Sequence, residues 1–98
     1  MNSGRQLRYE HAVLEQLKKL RVDIRRYDEL MEAIDEILCS APEAFPVIPK
    51  TKISFCRTNE FVGTSFSGVP SLAIYFHYDP SYTTIISIEQ SDEESYEI

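Results

Sequence analysis

The hydrophobic period of this chain changes once, and that change constrains its fold more than any other feature. Between Val13 and Leu38 apolar residues recur every three or four positions, whereas from Ile53 to Ile88 they recur mostly at every second one. A period near 3.6 belongs to a helix with one buried stripe, and a period of 2 to a strand with one buried face. The regimes meet at PEAFPVIPK, where three prolines in nine residues favour a stiff, extended connector. Helices followed by strands within 98 residues imply one α+β domain with a single core, its helices packed on one face of a sheet.

In the first half, HAVLEQLKKL places Val13, Leu14, Leu17 and Leu20 at helical spacing and turns Lys18 and Lys19 outward. DIRRYDELMEAIDEILCSAP carries a longer stripe of Ile24, Tyr27, Met31, Ile34 and Leu38, widened by Leu30 and Ile37. Asp23 is suited to cap its first turn, and Pro42 to stop it. With only Arg21 and Val22 as linker, the two helices are expected to form a tight αα-hairpin. Ahead of them, QLRYE fits either an upstream helical extension or a short edge strand in which Leu7 and Tyr9 alternate.

In the second half, Phe45, Val47 and Ile48 of the connector are too apolar to remain in solvent. TKISFCRT sets Ile53 and Phe55 on one face and Ser54 and Cys56 on the other, and NEFVGTSFSGVP reads as a ragged strand or loop ending in a turn. SLAIYFHYD places Leu72, Ile74, Phe76 and Tyr78 opposite Ala73, Tyr75 and His77. DPSY is a turn, with Asp79 and Pro80 in their favoured positions. TTIISIEQ returns with Ile86 and Ile88 on one face and Ile85 on the other. The expected sheet is a three- to four-stranded antiparallel meander whose Leu72–Ile74–Phe76 face meets Ile34 and Leu38. Residues 1–90 form the domain, and SDEESYEI, with four acids among residues 91–98, a solvated flexible tail.

Charge is divided unevenly. Residues 1–57 carry ten bases and nine acids, a net of +1, while residues 58–98 carry seven acids and no base, a net of −7. Nucleic-acid affinity rests on Lys and Arg contacts to phosphate, so a nucleic-acid partner is not expected. No apolar run approaches the roughly 18 residues of a membrane span. The polar start MNSGRQLRYE has no apolar signal core, and the expected location is cytoplasmic. Cys39 and Cys56 lack metal-ligand spacing and read as buried free thiols, and no cofactor or metal is implied.

The order of these elements and several strings resemble the RelE/ParE superfamily of small bacterial toxins from type II toxin–antitoxin pairs. RQLRYEHAVLEQLKKL stands where that family has its first strand and helix. YDELMEAIDEILCSAP resembles its second helix, and PSLAIYFHYDPSYTTIISIEQ its final hairpin, so the likeness spans about residues 5–90. It implies a helical hairpin on a meander sheet, with an antitoxin-like protein or a second copy of the chain as partner. Members that cleave mRNA on the ribosome use Lys and Arg on the sheet and a C-terminal Arg, His or Tyr. The counterparts here are Lys50, Lys52 and Arg57, with His77 and Tyr96 as further candidates. The last two strands supply no base, and Tyr96 lies among Asp92, Glu93, Glu94 and Glu97. The expectation is therefore a RelE/ParE-like protein acting by protein–protein contact without ribonuclease activity. The alternatives are an mRNA interferase using Lys50, Lys52 and Arg57, and a stand-alone domain that dimerises through an open sheet edge.

Individual residues carry the same division. His77, with Asp79 two positions on, is either an acid–base group or a locally bonded histidine of the sheet. Tyr75, Tyr78 and Tyr82 are either an aromatic patch for a partner or cross-strand pairs that stabilise the sheet. Lys50 and Lys52 also fit edge charges that discourage strand aggregation.

Overall fold

The computed structural model describes residues 5–23, 26–58 and 71–90. The chain runs through β1 (Gln6–Tyr9), α1 (His11–Asp23), α2 (Tyr27–Ser40), a 3-10 turn (Pro42–Ala44), β2 (Ser54–Arg57), β3 (Leu72–Tyr78) and β4 (Tyr82–Gln90). The fold is α+β, as the change of period implies. The segment from Asn59 to Pro70, Ile24, and the acidic residues 91–98 lie outside the described residues.

The strands form one sheet in the order β1-β4-β3-β2. The last three make the expected antiparallel meander. QLRY is a strand, but it joins the sheet in parallel, from Gln6 opposite Tyr82 to Tyr9 opposite Ile85. The sheet is therefore mixed and not wholly antiparallel. A parallel pair requires a crossover connection in place of a hairpin, and the two helices supply it.

The helix boundaries also differ from expectation. Nothing in HAVLEQLKKLRVD breaks a helix, so α1 continues through Arg21 and Val22 and ends at Asp23. Asp23 thus closes α1 and does not cap α2, whose cap position is Arg26. Arg26 Nε donates to Glu29 Oε1 at 2.7 Å, and Asp28 and Glu29 stand at the positive end of the α2 dipole. Each helix packs chiefly on the sheet, α1 along β4 and α2 along β1 and β4.

One core joins the layers. Val13 and Leu20 of α1, Leu30, Ile34 and Leu38 of α2, and Leu72, Ile74, Phe76, Ile85 and Ile88 of the sheet are buried together with Cys56. The strand face chosen by alternation is thus the one that meets the helices. Leu14 is the exception, since it stays 42% exposed on α1. On β2 the smaller pair, Ser54 and Cys56, faces inward, because Phe45 of the connector fills the space there and packs edge-on against Phe76 at 6.0 Å. The connector also borders β2: Phe55 N–H donates to the Pro46 carbonyl at 3.0 Å and Ile48 N–H to the Ile53 carbonyl at 2.8 Å. A proline-flanked segment with few donors closes that edge of the sheet, although Val47 itself remains half exposed.

β4 departs from simple alternation. Tyr75 stands opposite Ser87 but Phe76 opposite Ile85, so Ile86 is the extra residue of a β-bulge. The bulge inverts the expected facing: Ile85 and Ile88 are both fully buried in the core, and Ile86 is half-buried outside it. Ile85→Ala is expected to lower stability by about 2–5 kcal/mol, and Ile86→Ala by far less. Chemical denaturation of the two variants checks the order, and equal losses would contradict the bulge.

Candidate functional site

With α1 and α2 on one face, the other face of the sheet carries no helix among the described residues. Alternation and pairing assign its residues: Arg8 from β1, Tyr82 and Thr84 from β4, Tyr75 and His77 from β3, Phe55 and Arg57 from β2. Phe55 and Tyr75 stack across the β2–β3 pair, with ring centroids 5.0 Å apart and planes tilted by 44°. The Arg57 guanidinium lies 5.7 Å from the Phe55 ring. At the opposite margin the Arg8 guanidinium lies 3.9 Å from the Tyr82 ring, and its Nε donates to Thr84 Oγ1 at 3.4 Å. Cation–π contacts of this kind are worth about 0.5–1 kcal/mol at exposed positions, so they orient the guanidiniums more than they stabilise the fold.

The register aligns these groups in rows. Arg8 stands opposite Thr84, and Thr84 opposite His77, so three adjacent strands bring Arg8, Thr84 and His77 into one line. Phe55, Tyr75 and Ser87 form the next line, beyond the bulge. The two arginines come from the two edge strands, which lie about 14 Å apart at the usual strand spacing, and Arg57 stands in the row of Ala73, well along the strands from the row of Arg8. Of the seven acids in residues 58–98, only Asp79 and Glu89 belong to described residues, and Glu89 shares a row with Ala73 and Arg57.

The candidate residues do not assemble as a single cluster. Arg57, His77, Tyr75 and Tyr82 share the helix-free face. Tyr78 is on the other face, near Phe76 at 6.5 Å, with Arg5 over its ring at 5.5 Å. Lys50 and Lys52 are exposed in the turn that leads into β2. Thr51 N–H donates to the Ile48 carbonyl, and Lys50 takes φ = 68° beside Pro49, the geometry of a type II turn. Tyr96 lies outside the described residues. Arg8 and Phe55 were not singled out from the sequence; the signal was present in QLRYE, where Arg8 alternates with Leu7 and Tyr9.

Asp79 is committed to the hairpin turn rather than to His77. Its Oδ1 accepts from the Ser81 and Tyr82 N–H groups, both at 2.8 Å. The Tyr82 bond, then the Ser81 bond, hold its carboxyl below the usual carboxylate range. Elsewhere, burial first and then Tyr27, Asp35 and Cys39 push the Tyr9 phenol up to about 12. Burial and the bond from its thiol to Asp35 Oδ1 at 3.2 Å push Cys39 up to about 11. Both groups stay protonated near neutrality and are poor nucleophiles. Among the described residues no three His, Cys, Asp or Glu side chains converge as metal ligands, and no helix is long and apolar enough to cross a membrane.

Comparison with protein-family models, curated proteins and solved structures finds no match to this chain. The reading of its function therefore rests on its own residues.

Two measurements check this description. Because folding lowers the Asp79 pKa, the stabilisation from its turn is complete above the ordinary carboxylate range and is lost as pH falls through the lowered value. Asp79→Asn keeps an acceptor oxygen without the titrating charge, so its melting-temperature deficit should shrink on acidification; a deficit independent of pH would contradict the assignment. Lys50→Gly should stabilise the chain by about 1 kcal/mol by relieving a left-handed backbone, as read by thermal melting.

Proposed function

We propose that this chain is a RelE/ParE-like cytoplasmic protein that acts by protein–protein contact, seating a partner on the helix-free face of its sheet. The observation that carries the reading is the pairing of aromatic and cationic groups there: Phe55 stacked on Tyr75 under Arg57, and Tyr82 under Arg8. Aromatic residues and Arg are the side chains that most often dominate binding at protein interfaces. The acid–base equipment of a nuclease is poorly supported. Lys50 and Lys52 belong to the exposed turn ahead of β2 and to no strand, and Asp79 is engaged by the backbone of its own turn.

One observation favours the second reading, an mRNA interferase. β1 brings Arg8 into line with Thr84 and His77, and so gives the final hairpin a cation it lacks in sequence. Dimerisation through a sheet edge is the third reading, and the β2 edge is a poor candidate because the Pro46–Ile48 segment already borders it.

A translation extract programmed with a reporter mRNA separates the first two. The contact reading expects intact mRNA and unchanged protein synthesis. It also expects a partner from the native host that is retained by the wild-type chain and lost with Tyr75→Ala or Arg8→Glu, at unchanged melting temperature. Ribosome-dependent mRNA cleavage that disappears in Arg8→Ala or His77→Ala would overturn it in favour of the interferase.

A further inference from the structure

β1 covers only the first part of β4. The last bond between them runs from the Glu10 N–H to the Ile85 carbonyl at 3.0 Å, after which the chain turns into α1. β4 continues to Gln90 without a neighbouring strand on that side among the described residues. There a side chain takes the place of a strand: the Ile88 N–H donates to Gln16 Oε1 at 3.0 Å.

A strand residue directs its N–H and C=O to the same side, and the residue two positions on repeats the direction. The Ile88 carbonyl and the Gln90 backbone therefore face the same way as the Ile88 N–H. The register agrees, because Leu72, opposite Gln90, turns its N–H away from β4 and onto Thr58 Oγ1 at 2.8 Å. Among the described residues no hydrogen bond reaches the Ile88 carbonyl or the Gln90 backbone from the open side. The same edge borders a cleft of about 500 Å³ between α1 and β4, lined by Gln16, Lys19, Leu20, Ile88, Glu89 and Gln90. That volume falls within the roughly 300–1,000 Å³ of typical ligand clefts.

We propose that this edge is a docking site for a short extended segment of another protein, which adds to the sheet beside β4 and points an acidic side chain at Lys19. The row of backbone groups calls for an extended chain, since main-chain hydrogen bonds supply the affinity in strand addition. Leu20 and Ile88 give the cleft an apolar floor. Lys19 has no acidic partner among the described residues, whose ion pairs are Lys18–Glu15 and Arg26–Glu29. A second copy of the chain does not suit the site. An edge this short, walled by α1, cannot supply the roughly 1,200 Å² or more that a stable interface between folded partners buries. Gln16 satisfies the Ile88 N–H while the edge is empty, and the incoming carbonyl displaces it. The site is independent of the sheet-face reading.

The test is an NMR titration of the isotopically labelled full chain. The probe is a capped six-residue peptide of alternating valine and threonine with one glutamate; the control is the same peptide N-methylated at alternate backbone nitrogens. Binding should shift the Ile88, Glu89 and Gln90 amides and slow exchange of the Gln90 amide. Gln16→Ala should tighten binding roughly fivefold by removing a competing acceptor, and Lys19→Glu should weaken it by a similar factor. The proposal is overturned by the absence of binding, by shifts elsewhere, or by equal affinity for the methylated peptide. Edge shifts that follow protein concentration alone would make a second copy the occupant. A Gln90 amide already protected in the free chain would make residues 91–98 the occupant.

Discussion

The parallel pairing of β1 with β4 is the constraint on which the rest of the structure depends. It joins residues as far apart in sequence as Arg8 and Thr84, separated by 76 positions. The entropy of closing so long a loop grows only slowly with its length, but it is lost before any contact across it forms. A strand of four residues offsets little of that cost by itself. The surrounding contacts supply the rest: Arg5 Nε donates to the Asp79 carbonyl at 2.9 Å, Gln6 N–H donates to the Ser81 carbonyl, and Leu7 and Tyr9 pack on the core. Once β1 is in place, α1 follows directly from it and comes down along β4, where Val13 and Leu20 find their core. Without β1, α1 has no fixed starting point and Arg8 has no place on the sheet.

β4 is the strand on which these contacts converge. It pairs with β1 and β3, lies under α1, and ties α2 through Thr83, whose hydroxyl donates to the Leu38 carbonyl at 2.8 Å. The bulge at Ile86 follows from those demands. The Tyr82–Ile85 half must match β1, and the Ser87–Gln90 half must match the start of β3 and the Gln16 side chain. One extra residue lets Ile85 and Ile88 both reach the core while the strand bends. The same extra residue separates the two rows of the helix-free face, Arg8–Thr84–His77 on one side and Phe55–Tyr75–Ser87 on the other.

The sequence was legible wherever a single period governed a segment. The α2 stripe from Tyr27 to Leu38, the Leu72–Ile74–Phe76 face and the DPSY turn follow from helical spacing, alternation and turn chemistry, and the structure has all three. It was not legible where two segments had to fit one another. Ile85 and Ile86 look equivalent in TTIISIEQ, and only the pairing with Tyr75 and Phe76 decides which of them is buried. The end of α1 was misplaced for a similar reason: RV resembles a linker only if Asp23 is assumed to begin the next helix. The parallel direction of β1 has no local signal, because four residues of alternation are the same read either way. The site suffered most, since its rows combine residues from all four strands.

Charge shows the same limit with more consequence. The −7 of residues 58–98 argues against a polyanion when it is taken as a property of the hairpin. Within the described part of that segment the acids are Asp79, held by its turn, and Glu89. The hairpin's helix-free face is flanked by Arg8 and Arg57, both contributed by residues that precede the segment. An exposed charge acts over about 8 Å at physiological ionic strength, so a group seated on this face responds to those arginines more than to the net charge of the chain. A long polyanion also meets the chain's net charge of −6, which disfavours every further phosphate. A protein segment with one or two carboxylates and an aromatic or aliphatic side chain gains the arginine contacts and the Phe55–Tyr75 surface without that repulsion. On the proposed reading, charge complementarity on this face would therefore favour a locally acidic protein over a nucleic acid, for a reason different from the one that composition alone supplies.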